Sequence, residues 1–127
     1  MNHLLLDSHI LLWLVAPGAG HLSAKTRPMI SGAATVSFSI VSLWEIAIKA
    51  AKRQLDIDIN LLLEALDAAG LRELPVKREH IQTLRELPFH HRDPFDRMLV
   101  AQTLAEPLHL VTSDEKLKPY GALVVVV

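Results

Sequence analysis

The sequence contains no cysteine among its 127 residues, which excludes disulfides, zinc sites built on sulfur and cysteine nucleophiles. It also has no uninterrupted apolar run near the roughly 18 to 20 residues that a membrane helix requires. The apolar stretch close to the amino terminus is interrupted by Asp7 and His9, and no Lys or Arg precedes it, so we do not expect a secretory signal. These absences favour a cytoplasmic protein that does not associate with a membrane.

An excess of one charge is also lacking. The formal net charge is -1 at pH 7, with 13 Lys and Arg against 14 Asp and Glu. Proteins that bind nucleic acid through phosphates usually carry a basic surplus. If some of the carboxylates bind a cation, however, the remaining surface becomes mildly basic. The charge therefore neither favours nor excludes a nucleic-acid partner.

Size and patterning indicate one α/β domain over residues 1–127. The apolar fraction of 50% is typical of a compact globular protein, and the sequence shows no repeat, linker or low-complexity tract. Strand patterns alternate with helix patterns, and continuous apolar strands such as residues 123–127 suit a sheet that is buried on both faces. The prediction is a three-layer α/β/α sandwich with a mostly parallel sheet.

Four acidic residues lie at the edges of apolar elements. Asp7 and Asp114 follow predicted strands, and Glu45 and Asp96 fall in the predicted first turns of helices. Ligands of an open parallel sheet gather at the carboxyl ends of its strands, so these side chains can converge. Carboxylates are costly to bury without a cation, and oxygen ligands without sulfur suit Mg²⁺ or Mn²⁺. The sequence therefore predicts a metal site.

Each acid also has an ordinary structural interpretation. Asp7 is suited to cap the first helix, and Glu45 stands in capping-box spacing after Ser42. Asp96 and Asp114 are first-turn acids that the helix dipole favours. Only the coincidence of four such residues favours the metal site.

Several neighbouring residues have structural roles as their first interpretation. Asp93, directly before Pro94, is expected to cap a helix, and Ser113 is expected to cap a short helical turn, with orientation of a metal-bound water as its alternative. His9 is close enough to Asp7 for a catalytic role, although a structural role is favoured. Trp13 and Trp44 lie in apolar helical stretches and are expected in the core, and the histidines at 90–91 are expected in a solvated loop.

Basic residues stand beside two of the acids. Lys49 follows Glu45 by four positions and shares its helix face, and Arg97 adjoins Asp96. A basic rim around an acidic metal centre suits a phosphodiester substrate. Ordinary surface charge on a helix is the alternative.

The segments DSHILLW, SLWEIAIK, RDPFDRMLVAQ and LVTSDEKL closely resemble the PIN-domain family, in particular the VapC-like toxins of bacterial toxin-antitoxin pairs. The resemblance covers nearly the whole chain, and RDPFDRMLVAQ is its most specific segment. The family's acidic quartet falls on Asp7, Glu45, Asp96 and Asp114. Ser113 departs from the pattern, because the family often has Asn before the last acid.

The resemblance implies a single PIN-like nuclease domain acting as a Mg²⁺- or Mn²⁺-dependent endoribonuclease. It further implies an RNA substrate, a cognate antitoxin and a homodimer. The corresponding mechanism is in-line attack on the phosphodiester by a metal-activated water, with Glu45 as a ligand or a water-orienting base. Lys49, Arg97 and Lys116 are the candidates for contacts with phosphate oxygens.

Other classes of protein share some of these features. A receiver-like signalling domain has a similar length and an acidic Mg²⁺ pocket, but it requires paired acids after the first strand, where Asp7 stands alone. A phosphatase of the Asp-x-Asp type is disfavoured by His9. A PIN fold that only binds its partners is the remaining alternative, and the complete acidic quartet argues against it.

Overall fold

The computed structural model describes residues 2–16, 18 and 20–127. Within these residues, five parallel strands form one sheet in the order β3-β2-β1-β4-β5. The strands are β1 (His3–Leu6), β2 (Thr35–Ser39), β3 (Arg72–Leu74), β4 (His109–Thr112) and β5 (Val124–Val126). The helices are α1 (Ser8–Val15), α2 (Thr26–Ser31), α3 (Ile40–Ala51), α4 (Ile59–Ala69), α5 (Arg78–Glu86) and α6 (Pro94–Ala105), and a 3₁₀ helix covers Glu115–Tyr120.

Apolar clusters cover both faces of the sheet. Side chains alternate along a strand, so Leu4 and Leu6 of β1 belong to the cluster formed with α1 and α4, whereas Leu5 belongs to the cluster formed with α6. Residues Leu110 and Val111 of β4 divide between the two clusters in the same way. The predicted three-layer α/β/α sandwich with a parallel sheet is therefore confirmed.

The ends of two helices test the sequence predictions directly. Asp93 caps α6, its Oδ1 accepting the backbone N–H groups of Phe95 and Asp96 at 2.9 and 3.0 Å, and Pro94 is the first helical residue. This cap is confirmed. Helix α1 ends at Val15, and the stop predicted at Pro17 lies outside the described residues.

Two predicted caps are wrong. Ser39, and not Ser42, caps α3 by accepting the N–H of Val41 at 3.0 Å. Helix α3 therefore begins one turn earlier than predicted, and Glu45 lies in its second turn and not its first. Similarly, Asp114 caps the 3₁₀ helix in place of Ser113, because its side chain accepts the N–H of Lys116.

The strand order places a topological switch point between β1 and β4. From β1 the chain moves outward through β2 and β3, and β4 and β5 lie on the other side. A crevice forms where such connections diverge, at the carboxyl ends of the strands. Asp7 directly follows β1, and Asp114 stands two residues after β4. Among the described residues, none of the helices has the length and apolar character needed to cross a membrane.

Candidate metal centre

A cavity of about 420 Å³ lies at this edge of the sheet, and all four predicted acids line it. They reach it from four separate elements: the ends of β1 and β4, the second turn of α3 and the first turn of α6. The lining residues are Asp7, His9, Trp13, Glu45, Lys49, Asp93, Asp96, Ser113 and Asp114. The fold therefore converts four acids that are distant in sequence into one cluster.

Asp7 is the most deeply placed of these carboxylates, with an exposed fraction of 3%. It caps α1 by accepting the N–H of Ile10 at Oδ1, 2.9 Å away, and Oδ2 accepts the hydroxyl of Thr112. Burial raises the pKa of Asp7, and these hydrogen bonds only partly offset it. The cap and the cavity position are thus compatible, and the two interpretations of Asp7 do not compete.

Asp96 shows the strongest electrostatic conflict of the cluster. Burial, followed by repulsion from Asp93, Glu45 and Asp7, raises its pKa from 3.8 to about 7. The nearby imidazole of His91 acts in the opposite direction but does not cancel the effect. Burial and the neighbouring carboxylates together therefore favour a proton on Asp96, or another cation beside it, near neutral pH.

Glu45 is held by donors on both of its oxygens. The hydroxyl of Ser8 donates to Oε1 at 2.7 Å, and the ammonium of Lys49 lies 3.0 Å from Oε2. Both carboxylate and hydroxyl are buried. We did not predict Ser8, although its place directly after Asp7 was a usable signal. Glu45 is therefore a fixed carboxylate on the cavity wall, not a partner in a capping box.

Asp114 completes the cluster through a chain of hydrogen bonds. Its backbone N–H donates to the hydroxyl of Thr112 at 3.0 Å, which in turn donates to Asp7. Burial raises the pKa of Asp114, but the hydrogen bonds from the N–H of Lys116 and from His91 outweigh it and lower the pKa. The pKa of Asp114 therefore shifts in the opposite direction to that of Asp96, which favours the carboxylate form of Asp114.

His91 is the main functional candidate that we missed. It was expected in a solvated loop, yet its Nε2 lies 3.0 Å from Oδ2 of Asp114 and 3.6 Å from Oδ2 of Asp96. The ligand atoms of these three residues all lie within 4.8 Å of one another. Its loop contacts Asp114 and Tyr120, which follow β4 in the chain, and no local sequence signal indicates these contacts.

The two tryptophans expected in the core differ in outcome. Trp44 is 61% exposed and packs on Phe95, so its prediction is wrong. Trp13 packs beside the core cluster as expected and also lines the cavity, with the ring centre of His9 at 6.1 Å. Gly20 approaches it so closely that a Cβ there would lie 2.2 Å from the indole Nε1. One wall of the cavity is therefore aromatic.

The three basic candidates occupy different places. Lys49 lines the cavity, and Lys116 is exposed on the 3₁₀ helix. Arg97 is only 7% exposed and is not a lining residue; its guanidinium donates to the carbonyl of Pro88 at 2.9 Å and to the hydroxyl of Tyr120 at 3.1 Å. The structure thus gives Arg97 a set of contacts within the protein that the predicted phosphate role did not foresee.

A second group of possible ligands lies between α5 and α6. Nε2 of the fully buried His80 is 2.7 Å from Oε2 of Glu106, and its Nδ1 accepts the N–H of Lys77 at 3.0 Å. The hydrogen bond from His80 lowers the pKa of Glu106. Since Lys77 also pairs with Glu106 at 3.2 Å, this carboxylate already has its cation. These contacts join α5 to the end of α6, and Glu79, the third residue of the group, is exposed.

The donors of the acidic cavity fit a hard divalent cation. Carboxylate oxygens dominate its lining, sulfur is absent from it, and the raised pKa of Asp96 reports uncompensated negative charge. The protein therefore belongs to the class of α/β proteins with a parallel sheet and an acidic cavity, suited to a metal ion, at the switch point of the sheet.

Comparison with known proteins narrows this class. The family model of the PIN domain matches residues 4–123, so the chain belongs to the PIN domain family. A search of curated proteins finds no match. Because the matching model is that of the PIN domain, the receiver-like alternative has no support.

Two solved structures share the fold. One is a member of the VapBC family of toxin-antitoxin systems, VapBC-5, from Mycobacterium tuberculosis, with a TM-score of 0.66 and 18% identity, covering 100% of this chain and 98% of that one. The other is PAE2754 from Pyrobaculum aerophilum, with a TM-score of 0.64 and 17% identity, covering 98% of this chain and 83% of that one.

Proposed function

We propose that this chain is a single PIN-like nuclease domain, residues 1–127, that hydrolyses RNA phosphodiester bonds as a Mg²⁺- or Mn²⁺-dependent endoribonuclease. The observation that carries the proposal is the convergence of Asp7, Glu45, Asp96 and Asp114 on one cavity. Membership of the PIN domain family supports the same activity. A cytoplasmic location is part of the proposal.

In this proposal Asp7, Asp96 and Asp114 hold the divalent ion, and Glu45 holds it or orients the attacking water. The bound ion would supply a water of lowered pKa and neutralise charge on the phosphate. Ser8 and Lys49 fix the carboxylate of Glu45, so its orientation is set before substrate arrives. The Thr112 hydroxyl donates to the carboxylate of Asp7 and accepts the backbone N–H of Asp114, so it holds these two residues close together.

The substrate contacts follow from the rim of the cavity. Lys49 is 36% exposed while it pairs with Glu45, so its ammonium is available to a phosphate oxygen at the cavity mouth. Lys116 is a second candidate because it follows Asp114 on the exposed side of the 3₁₀ helix. Arg97 is no longer a leading candidate, since its guanidinium is buried against a loop.

The direct test is cleavage of a mixed pool of single-stranded and structured RNA by the purified protein. We expect cleavage with Mg²⁺ or Mn²⁺ and none with excess chelator, because the cavity is built from carboxylate oxygens. The Asp7→Asn variant, prepared in the same way, controls for a contaminating nuclease. Equal cleavage by both proteins would reject the proposal, and RNA binding without cleavage would favour the binding-module alternative.

A cognate antitoxin is the proposed protein partner. One structure with this fold belongs to a toxin-antitoxin system, and the sequence resembles VapC-like toxins. If the proposal holds, expression of this chain arrests growth, and co-expression of the protein encoded beside it restores growth.

We also propose a homodimer formed through an apolar groove of about 440 Å³ between α3, α5 and α6. Trp44 and Ile81 line it while remaining 61% and 55% exposed, and Trp44 packs edge-to-face on Phe95 at 4.9 Å. A groove bordered by projecting apolar side chains suits a second copy related by a two-fold axis.

Sedimentation velocity tests this interface. The wild-type protein should sediment as a dimer, and Trp44→Lys should convert it to a monomer. Leu61→Lys, at an exposed leucine of α4, should leave the dimer intact. A Trp44→Lys dimer would contradict this interface.

A further inference from the structure

The imidazole of His91 is held at both of its nitrogens. Nδ1 accepts the backbone N–H of Asp93 at 3.0 Å, and Nε2 lies 3.0 Å from Oδ2 of Asp114. The backbone of the same residue is anchored as well, because its N–H donates to the hydroxyl of Tyr120 at 3.1 Å. The ring, which is 13% exposed, is therefore fixed in position and orientation.

These contacts determine which nitrogen carries the proton. A backbone N–H is always a donor, so the Nδ1 that faces Asp93 must offer a lone pair and carry no hydrogen. In neutral imidazole the proton then lies on Nε2, which points at a carboxylate acceptor. A metal ligand would need a free lone pair on Nε2, and this tautomer has none there.

We propose that His91 is a positioning residue of the metal centre, donating from Nε2 to Asp114 without ligating the ion itself. This inference rests on the proposed metal site. Asp114 accepts one hydrogen bond at each oxygen, from the N–H of Lys116 at Oδ1 and from His91 at Oδ2. Both oxygens are thereby oriented, and each keeps a second lone pair for a cation. Outer partners of this kind set the orientation of metal-binding carboxylates.

Nitrogen NMR of the wild-type protein tests the tautomer without any activity measurement. Long-range ¹H–¹⁵N correlation should show a proton on Nε2 of His91 and none on Nδ1, with the signals assigned by their loss in His91→Gln. The Nε2–H signal should persist when Mg²⁺ is added to saturation. An Nδ1–H form, or loss of the Nε2 proton on addition of Mg²⁺, would overturn the proposal.

Calorimetric Mg²⁺ titration of variants tests the positioning role. His91→Ala should weaken Mg²⁺ binding about 10- to 100-fold, and His91→Gln, which retains an N–H donor, should recover most of that loss. Arg92→Ala is the matched control, because Arg92 is the neighbour of His91 in sequence and its side chain is exposed. Unchanged affinity in His91→Ala, or equal losses in the Ala and Gln variants, would refute the role. If Ala misfolds, the Gln variant and the NMR result still decide it.

The two proposals fail in distinguishable ways. Mg²⁺ binding with the expected response to His91 variants, but without RNA cleavage, would reject the nuclease and retain the positioning role. Metal-dependent RNA cleavage and Mg²⁺ binding that do not change in the His91 variants would retain the nuclease and reject the positioning role.

Discussion

Replacement of Asp96 by asparagine should lower metal-dependent RNA cleavage about 10²- to 10³-fold, the range for loss of a group that stabilises charge in the transition state. Asparagine keeps the size of the side chain but removes the charge that the cation requires. Initial rates at saturating Mg²⁺ measure the loss. Asp67→Asn, at an exposed aspartate of α4, is the matched control and should cleave at the wild-type rate.

The same variant should be more stable than the wild type when no metal is present. Asp96 has its pKa raised to about 7, so its charged form destabilises the fold. Ionisation costs at most about 4 kcal/mol on this basis, and solvent around the 22% exposed side chain reduces the expected gain at pH 8 to about 1–2 kcal/mol.

The sign of this effect fixes its pH dependence. The pKa of Asp96 is about 7 in the folded protein and 3.8 as the ordinary value of the unfolded chain. Between these two pH values the unfolded chain loses its proton before the folded protein does, so the free energy of unfolding falls as pH rises from about 4 through 7. Melting temperatures in chelator should therefore be similar for the two proteins at pH 4 and diverge in favour of Asp96→Asn by pH 8. Equal melting temperatures at pH 8 would show that the charged form of Asp96 does not destabilise the metal-free fold.

Metal should reverse this order of stability. A divalent ion displaces the proton of Asp96, so Mg²⁺ should raise the melting temperature of the wild type more at pH 8 than at pH 5. The Asp96→Asn protein should gain less at either pH. A carboxylate that weakens the metal-free fold and strengthens the metal-bound one is a functional group retained at a cost in stability.

The sequence was sufficient to predict that four acids meet at one edge of the sheet, because three of them stand at junctions that local patterns define. Asp7 follows an apolar strand and Asp96 opens a capped helix, and parallel strands bring such junctions to one edge. Glu45 lines the cavity with the other three acids, although the predicted start of its helix was one turn too late. An error of one turn hardly changes the face on which a helical residue lies.

The start of α3 could not be read locally, since Ser39 and Ser42 both precede helical patterns. The pairing of Ser39 with Leu74 extends β2 to residue 39, and the Ser39 hydroxyl donates to the buried Gln102 at 2.6 Å. Ser42 is buried in α3, where its hydroxyl has no hydrogen-bond partner among the described residues. Tertiary contacts thus decided between two equivalent caps.

His91 and Trp13 depend still more on tertiary structure. Trp13 belongs to an apolar helix but lines the cavity, and His91 belongs to a polar loop but lies beside the carboxylates of Asp96 and Asp114. Their contacts with the site join residues that lie far apart in sequence, such as His91 and Asp114. Only the positions of β4 and the loop before α6 bring them together.

Replacement of Arg97 should separate a structural role from the predicted phosphate contact. The guanidinium donates to Pro88 and Tyr120, reaches the carbonyl of Leu87 at 3.5 Å and lies 4.1 Å from the ring centre of Phe89. Arg97→Met removes the hydrogen bonds of the guanidinium and its contact with the Phe89 ring, although the Tyr120 hydroxyl still donates to the Pro88 carbonyl at 2.8 Å. We therefore expect a loss of about 2–4 kcal/mol in the free energy of unfolding. Urea denaturation in chelator measures it.

Lysine should not replace this arginine. Its single ammonium cannot reproduce the planar fork that contacts several acceptors at once, so Arg97→Lys should lose at least half as much stability as Arg97→Met. Arg92→Met, at an exposed arginine in the loop before α6, is the matched control and should change stability by less than about 0.5 kcal/mol. A phosphate contact predicts the opposite result: unchanged stability, with RNA binding that is weaker and less sensitive to salt.

The position of Arg97 also connects it to the metal centre. The tyrosine hydroxyl that accepts from its guanidinium also accepts the N–H of His91, so Arg97 helps to hold the loop whose histidine faces Asp114. Arg97→Met should therefore weaken Mg²⁺ binding even where the protein remains folded, whereas Arg92→Met should not. Calorimetry well below the melting temperature measures this. Full Mg²⁺ affinity in folded Arg97→Met would show that the loop keeps His91 in place without the arginine.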